Sequence, residues 1–436
     1  MATKAEKVTK QFEKGVVDRA GCYGNLNEFE RKKLQEVYEL VFKQLTTDIA
    51  KAKNAAGGEL EPVKIDEDQA ADKKNGEKYK DTEVIPGCKY GQTIEDKVGK
   101  KLIPVEFKTT LKDSTVESVL YESFREDIAD TYVLRFLRAR KWDPPKAHDM
   151  FMNALKFRHI ENVEEIIFTG ESALDAALLH KGTMYLEGMD KITQNIIWSE
   201  PCKHFPKDQP FAQLKRFIIW FMETARVKLD IPNEKVCLII DLTDNTNANM
   251  DWNFLKLTLK YLEAYYPESL GLCIAYNGSW WVSGIYSMVK PLLDPVVAAK
   301  IQFCKSIDEV SKYIDLAHIP SSKGGKSSFT FKFVLPTPED HAHMSDVEAK
   351  AKAAEEKRQA YEEFRDATIK WIEAGKKLEK SKGPELDAIK RELEEIEKHR
   401  HECQVKAREA SKKLDRFTRS PALYTRLANN KASAKP

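Results

Sequence analysis

The chain has 436 residues, 42% of them apolar, and its 71 lysines and arginines nearly balance its 69 aspartates and glutamates. This length and composition predict two to three domains with a substantial hydrophobic core. A net charge of only +2 argues against nucleic acid as a partner, because nucleic-acid-binding domains usually carry a clear basic excess.

Seven cysteines are scattered along the chain without a CxxC pair, which predicts free thiols in a reducing compartment rather than a disulfide framework. The N-terminal residues lack the apolar core of a signal peptide. No apolar run approaches the ~18 residues of a membrane span. We therefore expect a cytoplasmic protein whose contacts with membranes are peripheral.

The N-terminal part predicts one helix followed by a polar insert. Apolar residues recur at helical spacing over residues 26–49, and Asn27 with Glu30 has the pattern of an N-terminal capping box. The sequence over the first half of residues 56–115 has few apolar side chains. The second half of this range fits either short strands or a loosely packed extension. The sequence thus predicts a helical segment over residues 1–55 and a disordered or loosely structured insert over 56–115.

Helices resume over residues 116–165 as a second helical subdomain, and residues 166–335 alternate helices with short apolar strands. Such alternation predicts an α/β fold, with helices packed on a mixed or parallel sheet. The candidate strands are residues 182–187, 235–241, 272–276 and 300–304.

One helix of this region is mostly apolar and predicts a lid. It follows the third candidate strand and breaks at Asp294-Pro295, and Glu268 and Lys300 stand at the ends of neighbouring elements. A helix with an apolar side needs an apolar surface to cover, so the pattern predicts a pocket for an amphipathic ligand. The apolar residues of this lid are Ile285, Met288, Val289, Leu292 and Leu293.

Residues 336–436 predict a helical hairpin and a tail. Two heptad-patterned helices are separated by a break at Gly383-Pro384. The seam between them is weak, with Gly375 and Arg400 at seam positions. We therefore expect the hairpin to pack on the main body or on a partner protein instead of forming a long free coiled coil.

Motifs of enzymes and metal sites are missing. Gly325-Lys326-Ser327 lacks the glycine that a phosphate-binding loop needs five residues earlier, where Pro320 stands. The histidines near residues 341 and 400 do not have the spacing of metal ligands, and no nucleophile elbow or catalytic triad stands out. We expect no enzyme activity, no cofactor and no metal.

Three blocks of the chain stand out for their order and spacing. They are residues 130–143 (DTYVLRFLRARKWD), 265–300 (beginning YYPESLG and ending KPLLDPVVAAK) and 319–325 (IPSSKGG). In this order they resemble the CRAL-TRIO lipid-transfer family, in particular its fungal phosphatidylinositol transfer branch. The resemblance implies a CRAL-TRIO lipid-binding cradle with a mobile gate helix, preceded by a helical subdomain; it does not extend to the C-terminal hairpin. Gly284 and Pro295 would form the gate hinge.

The resemblance also implies the residues that contact a lipid headgroup. In the family, a glutamate and a lysine at the positions of Glu268 and Lys300 contact the inositol phosphate. Arg140 matches a further headgroup position. From the residues alone, Glu268 and Lys300 would be solvated charges at the ends of elements.

The second phospholipid site of the family is matched only in part. Tyr185 matches one of its tyrosines, but Val236 and Leu238 stand where small hydroxyl residues meet the phosphate of phosphatidylcholine. Aliphatic side chains donate no hydrogen bond, so we do not expect phosphatidylcholine in the usual pose. An apolar sleeve for acyl chains would be lined by residues such as Phe217, Ile218, Phe221 and Ile239.

The predicted function is the binding of phosphatidylinositol in an internal apolar cavity and its transfer or presentation between membranes, with the membrane surface as a transient partner. Two alternatives stay open. The protein could be a lipid-sensing regulator or scaffold that recruits a partner through its C-terminal hairpin. It could also carry another hydrophobic ligand such as a sterol, which would have no use for Glu268 and Lys300.

Overall fold

The computed structural model describes residues 11–12, 17–53, 92–107, 114–229, 231, 233–278, 282–383 and 385–433. Most of the insert that the sequence predicts over residues 56–115 lies outside the described residues. The described part of that insert contains one short helix, Ile94–Val98.

The first helix, α1, spans Glu28–Phe42 and begins as the sequence predicts. The backbone N–H of Glu30 donates to Asn27 Oδ1 at 2.9 Å and that of Asn27 donates to Glu30 Oε2 at 3.0 Å, so the predicted capping box is confirmed. The helix ends at Phe42 with Lys43 as its C-cap, and therefore stops short of residue 49. The next helices are α2 (Ile94–Val98), α3 (Val116–Phe124), α4 (Ala129–Ala139), α5 (Pro144–Ile160), α6 (Val163–Thr169) and α7 (Ala176–Lys181).

Five strands form one sheet in chain order among the described residues. The first is antiparallel to the second, and the others run parallel, so the predicted α/β class with a mixed sheet is confirmed. All four predicted strands are present, whereas the second strand, NIIWS, was not predicted because so short a run carries little periodic signal. The strands are β1 (Met184–Met189), β2 (Asn195–Ser199), β3 (Val236–Asp241), β4 (Leu270–Tyr276) and β5 (Ile301–Cys304).

Helices connect the parallel strands and leave two different faces on the sheet. Because side chains alternate along a strand, Leu238 and Ile239 of β3 point to opposite faces. Ile239 packs with Trp198 and Ile274 in one buried cluster, whereas Leu238 packs against the other. The expectation that Ile239 lines the same sleeve as Ile218 is therefore wrong. The helices of this part are α8 (Phe211–Arg226), α9 (Trp252–Ala264), α10 (Val282–Val289), α11 (Pro295–Ala298) and α12 (Ile307–Val310).

The C-terminal residues form the predicted hairpin, whose two long helices pack against each other on either side of Gly383. The hairpin also packs on the N-terminal helices. The ring of Tyr361 stacks on that of Tyr121 with centroids 4.6 Å apart, and Phe364 meets Tyr38 edge-on at 6.1 Å. The helices are α13 (Pro338–His341), α14 (Val347–Lys380), α15 (Glu385–Thr418) and α16 (Leu423–Ser433).

Arg400 explains why the hairpin seam looks weak in the sequence. Its guanidinium is buried and donates to both oxygens of Asp130, at 2.6 and 2.7 Å, and to Thr368 Oγ1 at 2.9 Å. The same group lies over the ring of Trp371, 4.3 Å from its centroid. Arg400 therefore links α15 to α4 through a bidentate ion pair. The polar residue at this seam position has its partner in the N-terminal helices.

None of the described helices combines the length and the apolar character needed to cross a bilayer. The part of the chain that the structure describes also contains no group of three or more His, Cys, Asp or Glu side chains that could hold a metal ion.

Candidate functional site

Glu268 and Lys300 lie together at the amino ends of β4 and β5. These strands are parallel neighbours, so their amino ends meet at one edge of the sheet. Lys300 Nζ is 3.9 Å from Glu268 Oε2 and donates a hydrogen bond to Leu270 O at 2.7 Å. Lys235 brings a second ammonium within 3.7 Å of the same carboxylate oxygen. The two residues that the sequence placed at the ends of separate elements are thus part of one charge cluster.

The backbone of Glu268 is held in an uncommon conformation. Its φ of 57° lies in the left-handed region, which a non-glycine residue rarely adopts. Such a conformation costs on the order of 1 kcal/mol and is found most often at functional sites. The turn after α9 therefore fixes the position of this carboxylate at an energetic cost.

Burial and neighbouring charges set the protonation of the cluster. Burial lowers the pKa of Lys300 to about 8; the Glu268 carboxylate opposes this shift, whereas Lys235 and Arg138 add to it. Burial alone would raise the pKa of Glu268, but Lys300, Lys235 and Arg138 together lower it below its usual value. Because Arg138 also pairs with Glu234, three cations face two carboxylates. This excess of positive charge suits a phosphate group.

Arg138, and not Arg140, joins this cluster. Arg138 Nη2 donates to Glu234 Oε2 at 3.0 Å, and its Nη1 donates to Gly21 O at 2.9 Å. Arg140 caps the C-terminus of α4, is half-buried, and reaches Ala139 O at 3.5 Å. Residues two apart at a helix end point in different directions, which separates these two guanidinium groups. The headgroup role of Arg140 stays a prediction.

An apolar cavity of about 90 Å³ lies beside the charge cluster. Its walls come from α4, α8, α9 and the starts of β3 and β4, and Leu270 borders both the cavity and the ammonium of Lys300. Ile218 and Phe221 line the cavity as the sequence predicts, whereas Phe217 lines a smaller cavity beneath α16.

Two aliphatic residues of β3 also form part of this cavity wall. Val236 and Leu238 both line the cavity, on the face of the sheet that is covered by α8 and α9. They stand where the resemblance to the family would place hydroxyl groups. The wall at this point is therefore apolar and offers no hydrogen bond from these two side chains.

Tyr185 does not line this cavity. It lies on the other face of the sheet, where its ring stacks on that of Trp198 with centroids 6.3 Å apart and also packs near Phe331. Its pKa is raised by burial and by the nearby Glu200 carboxylate. The pairing of Tyr185 with Trp198 fixes the face to which its side chain points. The role of Tyr185 as a second phospholipid contact stays a prediction.

The expected lid is shorter and more broken than the sequence predicts. α10 ends at Val289, a single 3₁₀ turn covers Lys290–Leu292, and Pro295 opens α11 with Asp294 as its N-cap. Met288 is 56% exposed, and the ring of Tyr286 meets that of Phe303 edge-on at 5.0 Å. The side chains of Ile285 and Leu292 lie outside the described residues.

The remaining lid and hinge residues lie on the surface side of this segment. Val289 and Leu293 are partly exposed, and Gly284 is exposed, with enough open space that a Cβ there would meet no atom within 4 Å. Open space around Gly284 leaves the backbone free to bend there. The hinge role of Gly284 and Pro295 stays a prediction.

Comparison with known proteins gives two family matches. Residues 104–153 match the CRAL/TRIO N-terminal domain and residues 179–325 match the CRAL/TRIO domain. A solved structure of Sfh5 aligns with 48% of this chain and 77% of that chain, at 16% identity and a TM-score of 0.40.

Three curated fungal proteins show how far the similarity extends. A phosphatidylinositol transfer protein of Eremothecium gossypii is 34% identical over 64% of this chain, and a CRAL-TRIO domain-containing protein of Schizosaccharomyces pombe is 30% identical over 69%. The chain spans 66% of the length of each of these two relatives. A second Schizosaccharomyces pombe protein with a CRAL-TRIO domain is 31% identical over 71% of this chain and 86% of its own length. The chain therefore belongs to the CRAL-TRIO family.

Proposed function

We propose that the protein binds phosphatidylinositol and transfers or presents it between membranes. The observation that carries this proposal is the cluster of buried Lys300 with partly buried Glu268, Lys235 and Arg138 beside an apolar cavity. A charge cluster next to an apolar cavity suits an anionic headgroup with acyl chains. A relative with 34% identity is named a phosphatidylinositol transfer protein. We further propose that the protein works in the cytoplasm and meets membrane surfaces transiently.

The energetics of lipid extraction explain why such a cavity is needed. The two acyl chains of a phospholipid hold about 30 methylene groups, and exposing each to water costs ~0.8 kcal/mol, so unaided extraction would cost on the order of 20 kcal/mol. Apolar side chains such as Phe221 and Leu238 would offset this cost by replacing the bilayer as the environment of the chains. The protein then needs no catalytic group, because transfer forms and breaks no covalent bond.

Headgroup selectivity is the first test of the proposal. In an assay with donor and acceptor vesicles, we expect clear transfer of phosphatidylinositol and weak or absent transfer of phosphatidylcholine. The reason is that Lys300 and Glu268 suit an inositol phosphate, whereas Val236 and Leu238 offer no donor to the phosphate of a choline lipid. Equal rates for both lipids would contradict this selectivity.

The same assay separates the alternatives. A sterol in the cavity would offer no anionic group to the excess positive charge of the cluster, whose Lys300 ammonium would keep only the Glu268 carboxylate 3.9 Å away. Preferential transfer of a sterol would therefore overturn the headgroup assignment. Tight lipid binding without any movement of lipid between vesicles would favour a lipid-sensing protein over a carrier.

A crosslink between α10 and β5 tests whether α10 is a moving gate. Tyr286→Cys and Phe303→Cys replace two rings whose centroids are 5.0 Å apart, and a short bifunctional thiol reagent would join them. We expect the crosslinked protein to lose transfer, because lipid could no longer pass the pinned helix. Each single variant, treated with the same reagent, is the control. Undiminished transfer by the fully crosslinked protein would rule out a moving lid.

A further inference from the structure

Arg135, on α4, is a buried arginine that lines the apolar cavity. It is 3% exposed, and its buried Nε has no hydrogen-bond partner among the residues that the structure describes. Its one ion pair there joins Nη1 to Asp127 Oδ2 at 3.5 Å. A guanidinium carries five N–H donors, and burying them without partners is strongly unfavourable. Among the described residues, this side chain therefore has one distant carboxylate partner and an Nε–H without an acceptor.

Asp127 does not satisfy Arg135, because another arginine holds it more closely. Arg226 Nε donates to Asp127 Oδ2 at 3.0 Å, and Arg226 Nη2 lies 2.9 Å from the same oxygen. Arg226 also donates to the carbonyls of Ser123 and Phe124 and so fastens the end of α3. The contacts of Arg226 thus account for its position, whereas Arg135 reaches the shared Asp127 only at 3.5 Å.

The surroundings of Arg135 carry an excess of positive charge. Arg135 lies one turn before Arg138 on α4, so the cavity wall continues the charge cluster around Lys300. The cavity wall and this cluster together hold five cations, and four carboxylates pair with them, which leaves a net charge of one positive unit. The cations are Arg135, Arg138, Arg226, Lys235 and Lys300, and the carboxylates are Asp127, Glu223, Glu234 and Glu268.

We propose that Arg135 binds an oxyanion of the cargo lipid, its phosphate group, inside the cavity. The planar guanidinium matches two oxygens of a phosphate, and a low-dielectric wall strengthens that contact. The apolar wall around Ile218 and Phe221 would then hold the acyl chains of the same lipid. This inference rests on the proposed function and adds a phosphate contact that is separate from Glu268 and Lys300.

The test compares phosphatidylinositol, which has a phosphate group, with diacylglycerol, which has none. Wild-type full-length protein and the Arg135→Gln variant are mixed with vesicles containing either phosphatidylinositol or diacylglycerol with the same acyl chains, and the bound lipid is quantified. We expect Arg135→Gln to lose about tenfold in affinity for phosphatidylinositol, equivalent to about 1.4 kcal/mol, with no loss for diacylglycerol. The matched control is Arg216→Gln, a partly buried arginine of α8 that pairs with Glu165 away from the cavity.

Each outcome decides the inference. Unchanged phosphatidylinositol affinity in Arg135→Gln would overturn it and leave the proposed function intact, whereas a wild-type protein that takes up neither lipid would overturn both.

If Arg135→Gln does not fold, the side-chain N–H resonances of Arg135 in the wild-type protein give the answer. They should shift on loading with phosphatidylinositol but not with diacylglycerol, and equal spectra would overturn the inference. Millimolar inorganic phosphate that displaces the lipid would assign the site to a free anion instead.

Discussion

Replacement of Arg400 by methionine is expected to lower the free energy of unfolding by about 3 to 5 kcal/mol. Methionine keeps much of the apolar volume over the Trp371 ring but removes both charged hydrogen bonds to Asp130. Asp130 is 4% exposed and would be left as a buried carboxylate held by Tyr38 and Gln404 alone. The measurement is the midpoint of urea denaturation.

The control for this effect lies on the same hairpin. Arg358 is exposed and pairs with Glu355 and Glu362 on its own helix, so Arg358→Met should leave the midpoint unchanged. Adding Asp130→Asn to Arg400→Met should recover part of the lost stability, because the unpaired charge is then removed as well. A midpoint of Arg400→Met that equals the wild-type value would show that the hairpin does not depend on this ion pair.

The Arg400 contact bears on the hypothesis that the hairpin is a partner-binding arm. That hypothesis needs a free apolar surface on the hairpin. The seam side chains that could have formed such a surface are instead buried within the chain, where they contact α1, α3 and the opposite hairpin helix. The buried seam residues include Tyr361, Phe364, Trp371, Leu393 and Cys403. A protein partner would have to bind the charged outer faces of α14 and α15, and recruitment through the hairpin stays a proposal.

Features that depend on neighbouring residues were predictable from the sequence. The capping box of Asn27, four of the strands and the hairpin break at Gly383 all rest on patterns within a few turns of chain. The meeting of Glu268 with Lys300 came from the family resemblance, since nothing in their spacing shows that their strands are neighbours.

Features that depend on register or on distant segments were not predictable. Arg400 and Asp130 are 270 residues apart, so no local pattern links them. Tyr185 faces away from the cavity because strand register decides the face, and a shift of one residue would reverse it. The sequence led us to expect Arg140 near Glu268 and Lys300, but Arg138 lies there instead. The residue at which α4 ends sets the directions of both side chains, and the sequence does not define that residue.

Replacement of Lys300 is expected to have the largest effect on lipid transfer. Loss of one partner from a buried charge pair costs about 2 to 5 kcal/mol of binding free energy, so Lys300→Met should reduce phosphatidylinositol transfer by about 100-fold. Glu268→Gln should reduce it as well, because the carboxylate is lost as an acceptor for ring hydroxyls. Stability should change little in Lys300→Met, since methionine fills similar space and removes a charge that burial disfavours.

The lowered pKa of Lys300 adds a pH dependence with a defined sign. Below its pKa of about 8 the ammonium is charged and attracts phosphate, and one unit above that value only about a tenth of the molecules keep the charge. Affinity for phosphatidylinositol should therefore fall as the pH rises through about 8. Stability should move the other way: between about 8 and 10.5 the unfolded chain holds a proton that the folded protein has released, so unfolding becomes less favourable as pH rises.

Two variants test whether this behaviour belongs to Lys300. Lys300→Arg keeps a positive charge over the whole pH range, so its phosphatidylinositol affinity should no longer fall through the pKa of the wild-type lysine. Lys413→Ala removes an exposed hairpin lysine that pairs with Glu356, and it should keep the wild-type profile. Lipid transfer and urea midpoints are measured side by side across the pH range. Wild-type transfer by Lys300→Met at every pH would show that the headgroup does not meet this ammonium, and the excess charge beside the cavity would then need another explanation.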